Sequence, residues 1–121
     1  MIDLQKELAE TYQVRTRSQQ KLEVELQPAK TWPYFVGHFP QMPVLPAVAI
    51  VDISQYFVEN LLGTSVSLVR LMNFRIKNPV QPGDKVLVEV QKESEGVFNI
   101  LWTKPGENKT LADLNLQVAE G

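Results

Sequence analysis

"PAVAIVDISQYFVENLLG", residues 46–63, decides how the rest of the chain is read. Pro46 suits the first turn of a helix, where a missing N–H has no partner to lose. From Ala47 to Leu62 no residue breaks a helix, and Gly63 is a suitable C-terminal stop. The stretch therefore predicts one long helix over residues 46–62. Its first half, "AVAIV", is apolar on every side, so burial all round is expected rather than burial along one stripe. A single carboxylate, Asp52, stands at the end of that apolar run.

Outward from this helix the pattern becomes that of strands. Upstream, "KLEVELQ" alternates, with Leu22, Val24 and Leu26 on one face and Lys21, Glu23 and Glu25 on the other. Residues 3–12 fit either a short helix or a first strand. "KTWPYFVGHFPQMP" is irregular, because Pro33, Pro40 and Pro43 interrupt regular structure. Downstream, "SLVRLMNFRIKNPV" reads as a long apolar and basic strand segment, and "NPVQPGD" as a turn. "KVLVEV" aligns Val86, Val88 and Val90, and "SEGVFNILW" aligns Phe98, Ile100 and Trp102. "LADLNLQV" aligns Ala112, Leu114, Leu116 and Val118. Consecutive strands joined by short turns imply an antiparallel sheet, hence an α+β fold. The 121 residues suit a single domain, 1–121.

Composition removes several function classes. Net charge is −2, so no bulk basic field points to nucleic acid. The absence of cysteine excludes a disulfide framework, a thiolate nucleophile and a cysteine-ligated zinc. One histidine, His38, with no HxxxH-type spacing, argues against a metal site. No apolar stretch reaches membrane-spanning length, and the charged start "MIDLQKELAETYQ" is no secretory signal. A cytoplasmic protein is the expectation.

His38 and Asp52 are the candidate pair. They lie fourteen positions apart, the histidine in the proline-rich loop and the acid in the helix. Burial would raise the carboxyl pKa and keep its proton on, which suits a general acid. Gln55 and Tyr56, one helical turn away, are the candidate hydrogen-bond partners of Asp52. The loop histidine would stay near its ordinary pKa and be mostly neutral at pH 7, as a base must be. Taken singly, a helix aspartate is more often a solvent-facing or paired residue, and a histidine beside prolines more often a plain loop residue. The combination is what points to chemistry.

"GHFPQMPVLPAVAIVD" resembles the signature of the FabA/FabZ-type 3-hydroxyacyl-[acyl-carrier-protein] dehydratases, including the spacing of fourteen from histidine to acid. "NFRIKNPVQPGDKVLVEV" is similar to a second, weaker block of that family, so the motifs cover residues 31–92. The resemblance implies a hot-dog fold, a long central helix wrapped by an antiparallel sheet. It implies homodimers, in some relatives assembled as trimers of dimers, with His38 of one subunit facing Asp52 of the other. It implies that His38 removes the α-proton of a 3-hydroxyacyl thioester and that Asp52 protonates the leaving hydroxyl. The backbone N–H of Ala47 would hold the enolate oxygen. Phe39, Val44, Leu45, Gln55 and Tyr56 would line the substrate tunnel. Substrate would arrive on the phosphopantetheine arm of an acyl carrier protein, with no cofactor bound by the chain itself. That carrier is acidic, so Arg70, Arg75 and Lys77 are candidate contacts, or else a solvated face.

Two positions depart from the family pattern. Ala47 stands where the family has glycine, and Tyr56 where it often has glutamine, with Gln55 beside it. Aspartate at the acid position resembles the FabA side, and the short length is nearer ApeI-like dehydratases of aryl polyene pathways. Two other functions compete. A hot-dog acyl thioesterase would use the helix carboxylate and need no histidine. A non-catalytic acyl-binding or scaffold subunit would tolerate Ala47 and Tyr56.

Overall fold

The computed structural model describes residues 3–35 and 43–120. His38 and Phe39 therefore lie outside the described residues. The elements run α1 (Leu4–Leu8), β1 (Tyr12–Arg17), β2 (Lys21–Leu26), a 3-10 turn (Pro33–Phe35), α2 (Ala47–Leu62), β3 (Val66–Ile76), β4 (Val86–Ser94), β5 (Val97–Lys104) and β6 (Lys109–Glu120). Six strands form one antiparallel sheet in the order β1-β2-β4-β5-β6-β3. The hot-dog expectation, one long helix packed on an antiparallel sheet, is met.

The alternating segments supply the concave face. Leu22, Val24, Leu26, Val86, Val88, Val90, Ile100, Trp102 and Leu114 are fully buried, and they meet the helix side chains Ala49, Ile50, Ile53, Phe57 and Val58. Burial of a large apolar side chain is worth about 1.5–3 kcal/mol, so this interface is the main source of stability. The helix ends as expected: Gly63 adopts φ 73°, and its N–H donates to the Glu59 carbonyl at 2.8 Å.

Pro46 is the residue before the helix rather than within its first turn, with φ −71° and ψ 159°. The N-terminal half is not buried all round. Val48 is 60% exposed and Ala47 is exposed, because only one stripe of α2 reaches the sheet. The ambiguous residues 3–12 divide between α1 and the start of β1, with Glu10 at φ 66° making the change of direction between them. Strand β1 itself is polar and largely exposed, an edge held by pairing with β2.

The "NPVQPGD" turn forms as the residue types dictate. Gly83 takes φ 86°, the Asp84 carboxylate accepts from the Gln81 N–H at 2.9 Å, and the Gly83 N–H donates to the Pro28 carbonyl. The Val80 carbonyl, within the same turn, accepts from the Leu45 N–H at 2.8 Å. This bond ties the residue before Pro46 to the turn between β3 and β4.

Candidate active site

Asp52 lies on the second turn of α2, on the flank of the helix turned from the core, and is half-buried. Full burial of the acid, expected from the apolar run, does not hold: Val48 and Val51 share its flank, while Ile50, Ile53 and Ser54 take the buried one.

The partner of the carboxyl also differs from expectation. The Tyr34 hydroxyl donates to Asp52 Oδ2 at 3.1 Å. Gln55 and Tyr56 are engaged elsewhere. The Gln55 amide donates to the Val66 carbonyl at 3.1 Å, while Glu59 Oε2 accepts from the Val66 N–H at 2.8 Å. Together they clamp the first residue of β3 to the helix. Tyr56 packs edge-on against Tyr12, with ring centroids 6.2 Å apart and the two hydroxyls at 3.4 Å. That contact with Tyr12, followed by burial, pushes the Tyr56 hydroxyl up to about 12. For Tyr34 burial acts first and the neighbouring Asp52 carboxyl second, and both raise its pKa well above the ordinary phenol value, so its hydroxyl stays a donor.

Nothing in the local sequence around Asp52 names Tyr34, which is eighteen residues away. The available signal was "WPYF", three aromatics on a proline turn, a composition that packs rather than waves in solvent.

The start of α2 is open. The Pro46 carbonyl takes the N–H groups of both Ala49 and Ile50, at 3.0 and 3.3 Å. Among the described residues the N–H groups of Ala47 and Val48 have no backbone acceptor, no side chain caps the helix, and no acid occupies its first turn. Such an end carries partial positive charge and two free donors suited to an anionic oxygen. Leu45 is buried at 4% exposure and Val44 half-buried, just before this end.

The three basic residues are exposed, and they lie on or beside the sheet edge. Arg70 pairs in register with Gln117, and Arg75 with Asp113, across irregularities in β3 that include Asn73 at φ 52°. Lys77 follows the strand and extends its ladder by donating its N–H to the Leu111 carbonyl. Among the described residues no three His, Asp or Glu side chains gather as metal ligands, and no helix is long and apolar enough to cross a membrane.

The model of the ApeI-like family, described as ApeI dehydratase, matches residues 14–113. The chain belongs to this family. Among curated proteins it is similar to FabZ dehydratases. The 3-hydroxyacyl-[acyl-carrier-protein] dehydratase FabZ of Paramagnetospirillum magneticum is 36% identical over 87 residues, 64% of this chain and 52% of that protein. FabZ of Herpetosiphon aurantiacus is 42% identical over 65 residues, 48% of this chain and 46% of that protein. The ApeI-like chain thus spans about half the length of these relatives.

Among solved structures it is similar to a chain of the dehydratase heterocomplex ApeI:P from Xenorhabdus doucetiae, with a TM-score of 0.78 at 22% identity. That match covers 89% of this chain and 95% of the other. Thioesterase superfamily member 2 from Mus musculus matches with a TM-score of 0.73 at 13% identity, covering 92% and 82%. At such identities both likenesses establish the hot-dog fold and no more.

Proposed function

We propose that this ApeI-like chain is a hydro-lyase that dehydrates 3-hydroxyacyl thioesters to trans-2-enoyl thioesters. The observation that carries the reading is Asp52: a half-buried carboxyl on the open flank of α2, fourteen residues after the histidine of a GHFP block, in a chain of the dehydratase family. His38 takes the α-proton, and the Cα–H electron pair becomes the new C=C bond. The Cβ–O bond breaks, and the hydroxyl leaves as water with the proton of Asp52. The thioester oxygen carries negative charge on the way, and the N–H groups of Ala47 and Val48, which have no acceptor among the described residues, are donors of the kind that such an oxygen needs. Each positioned proton-transfer group contributes on the order of a hundred- to ten-thousand-fold.

In this reading the 121 residues act as one unit in the cytoplasm, and substrate comes on the phosphopantetheine arm of an acyl carrier protein. Arg70, Arg75 and Lys77 are the proposed cationic rim for that carrier; the support is their exposure and sign. Phe39, Val44, Leu45, Gln55 and Tyr56 are the proposed tunnel residues. A homodimer is proposed, open to further assembly as a trimer of dimers, in which His38 of one subunit serves Asp52 of the other. Its support is the β3 edge, eleven residues long and unpaired on its outer side among the described residues, exposing Val69, Leu71 and Ile76 at 57, 40 and 47%. The ApeI:P neighbour is a heterocomplex, so a related chain in place of the second copy is an outcome that size measurement of the purified protein distinguishes.

The test is to incubate the protein with 3-hydroxyacyl thioesters of short, long and aryl type, loaded on carrier protein, and to follow products by mass. Loss of one water with the thioester intact supports the reading. Release of free acid assigns a thioesterase instead, and no turnover of any substrate assigns the scaffold role.

A further inference from the structure

Asp52 is held by one hydrogen bond among the described residues, and its donor is Tyr34 of the 3-10 turn. Trp32 and the 3-10 turn Pro33–Phe35 after it form one unit, held by a bond to α1 and by two contacts between Trp32 and Phe35. The Trp32 indole N–H donates to the Glu7 carbonyl of α1 at 2.9 Å. The Trp32 and Phe35 rings stack at 6.2 Å and 12°. The Phe35 N–H donates to the Trp32 carbonyl at 3.0 Å. Trp32 is 1% exposed and Tyr34 9%, so the phenol has little freedom to move. Its hydroxyl meets one carboxyl oxygen only, Oδ2, and no other described group bonds the carboxyl.

We propose that Tyr34 is a positioning residue for Asp52: by holding Oδ2 it fixes the carboxyl plane so that Oδ1 carries the proton given to the leaving β-hydroxyl. The inference rests on the dehydratase reading and adds to it a residue outside the GHFP block. As the Cβ–O bond breaks, Oδ1 loses its proton to the departing hydroxyl and the carboxyl becomes a carboxylate. The negative charge that appears is shared with Oδ2, where the Tyr34 O–H already points. A donor aimed at developing charge acts more strongly in the transition state than before it. The separation of 3.1 Å is slightly longer than an ordinary O–H···O bond, as catalytic hydrogen bonds often are before substrate binds.

Tyr34→Phe tests this, since it keeps the ring and its packing and removes the hydroxyl. Folding is checked by circular dichroism. The expected result is a kcat lowered roughly ten- to a hundredfold with KM within about twofold, because misplacing a reacting group costs rate rather than binding. The double variant Tyr34→Phe with Asp52→Asn is expected to be no slower than Asp52→Asn alone, whereas a merely structural effect would multiply. Side-chain couplings measured by NMR give a readout independent of turnover. Asp52 is expected in one χ1 rotamer in the wild type and averaged over rotamers in Tyr34→Phe. Multiplying losses in the double variant overturn the proposal, as does an Asp52 coupling unchanged by Tyr34→Phe. If the wild type makes no enoyl product, the dehydratase reading fails, and with it the catalytic purpose assigned to Tyr34; the couplings then decide only whether Tyr34 orients the carboxyl.

Discussion

Ser54 and Trp102 fasten α2 to the sheet, and their separate removal should cost more than their joint removal. Ser54 is the one buried polar residue among those described, at 0% exposure, and its hydroxyl accepts from the Trp102 indole N–H at 3.0 Å. Ser54→Ala leaves that N–H unpaired in the core, a penalty of about 1–3 kcal/mol. With an unfolding entropy of about 2.1 cal/mol/K per residue, 121 residues give about 0.25 kcal/mol/K, so 2 kcal/mol lowers Tm by about 8 °C. Trp102→Phe removes the donor and leaves a small cavity as well, so its loss should be larger, about 2–4 kcal/mol. The double variant should recover about 1–2 kcal/mol relative to the sum, because no orphaned group remains. Urea unfolding of the four proteins at equilibrium measures all the differences at once. Additivity within about 0.3 kcal/mol would refute the claim that this bond couples helix to sheet.

Three further outcomes follow from other parts of the molecule. Gly96 lies at φ 74°, and a Cβ there would meet the Val118 carbonyl oxygen at 2.9 Å, whereas Gly106 at φ 85° has open space around it. Calorimetry should therefore show Gly106→Ala losing about 1–2 kcal/mol from backbone strain alone and Gly96→Ala clearly more, with equal losses contradicting the contact. Glu59→Ala frees the Val66 N–H, so hydrogen exchange at Val66 should accelerate while amides in β5 keep their protection. Mixing the inactive variants His38→Ala and Asp52→Asn should restore about one quarter of wild-type activity if each site draws on two subunits of a C2 dimer. No recovery after verified subunit exchange would place both groups in one chain.

Much of the fold was legible because its strands obey one rule. In β2, in Val86–Val90 of β4, in Phe98–Trp102 of β5 and in Ala112–Val118 of β6 every second residue is apolar, and those residues line the core. Strand β1 escaped the rule because "YQVRTR" is an edge that buries almost nothing; pairing with β2 and the Ser18 turn form it instead. The length of α2 was visible in Pro46 and Gly63, but its orientation was not. "AVAIV" is apolar on all sides and cannot say which side meets the sheet, so Asp52 was placed too deep. The face is decided further along, where Ile53, Ser54, Phe57 and Val58 meet the strands.

The site was legible in part for a similar reason. The spacing of His38 and Asp52 is written in the chain, but the donor to Asp52 depends on how a proline-rich loop folds back over a helix. Sequence proximity favoured Gln55 and Tyr56, whereas the tertiary fold gives Gln55 to Val66, Tyr56 to Tyr12, and Tyr34 to the acid.

The most direct test of the central claim is the rate of enoyl thioester formation by wild type and by Asp52→Asn, each purified and shown to be folded. Asparagine keeps the size of the side chain and its place on α2, and it has no comparably acidic proton to give. The account predicts enoyl product from the wild type and a loss of at least about a hundredfold in Asp52→Asn. A folded Asp52→Asn protein that forms enoyl thioester at near the wild-type rate would contradict it.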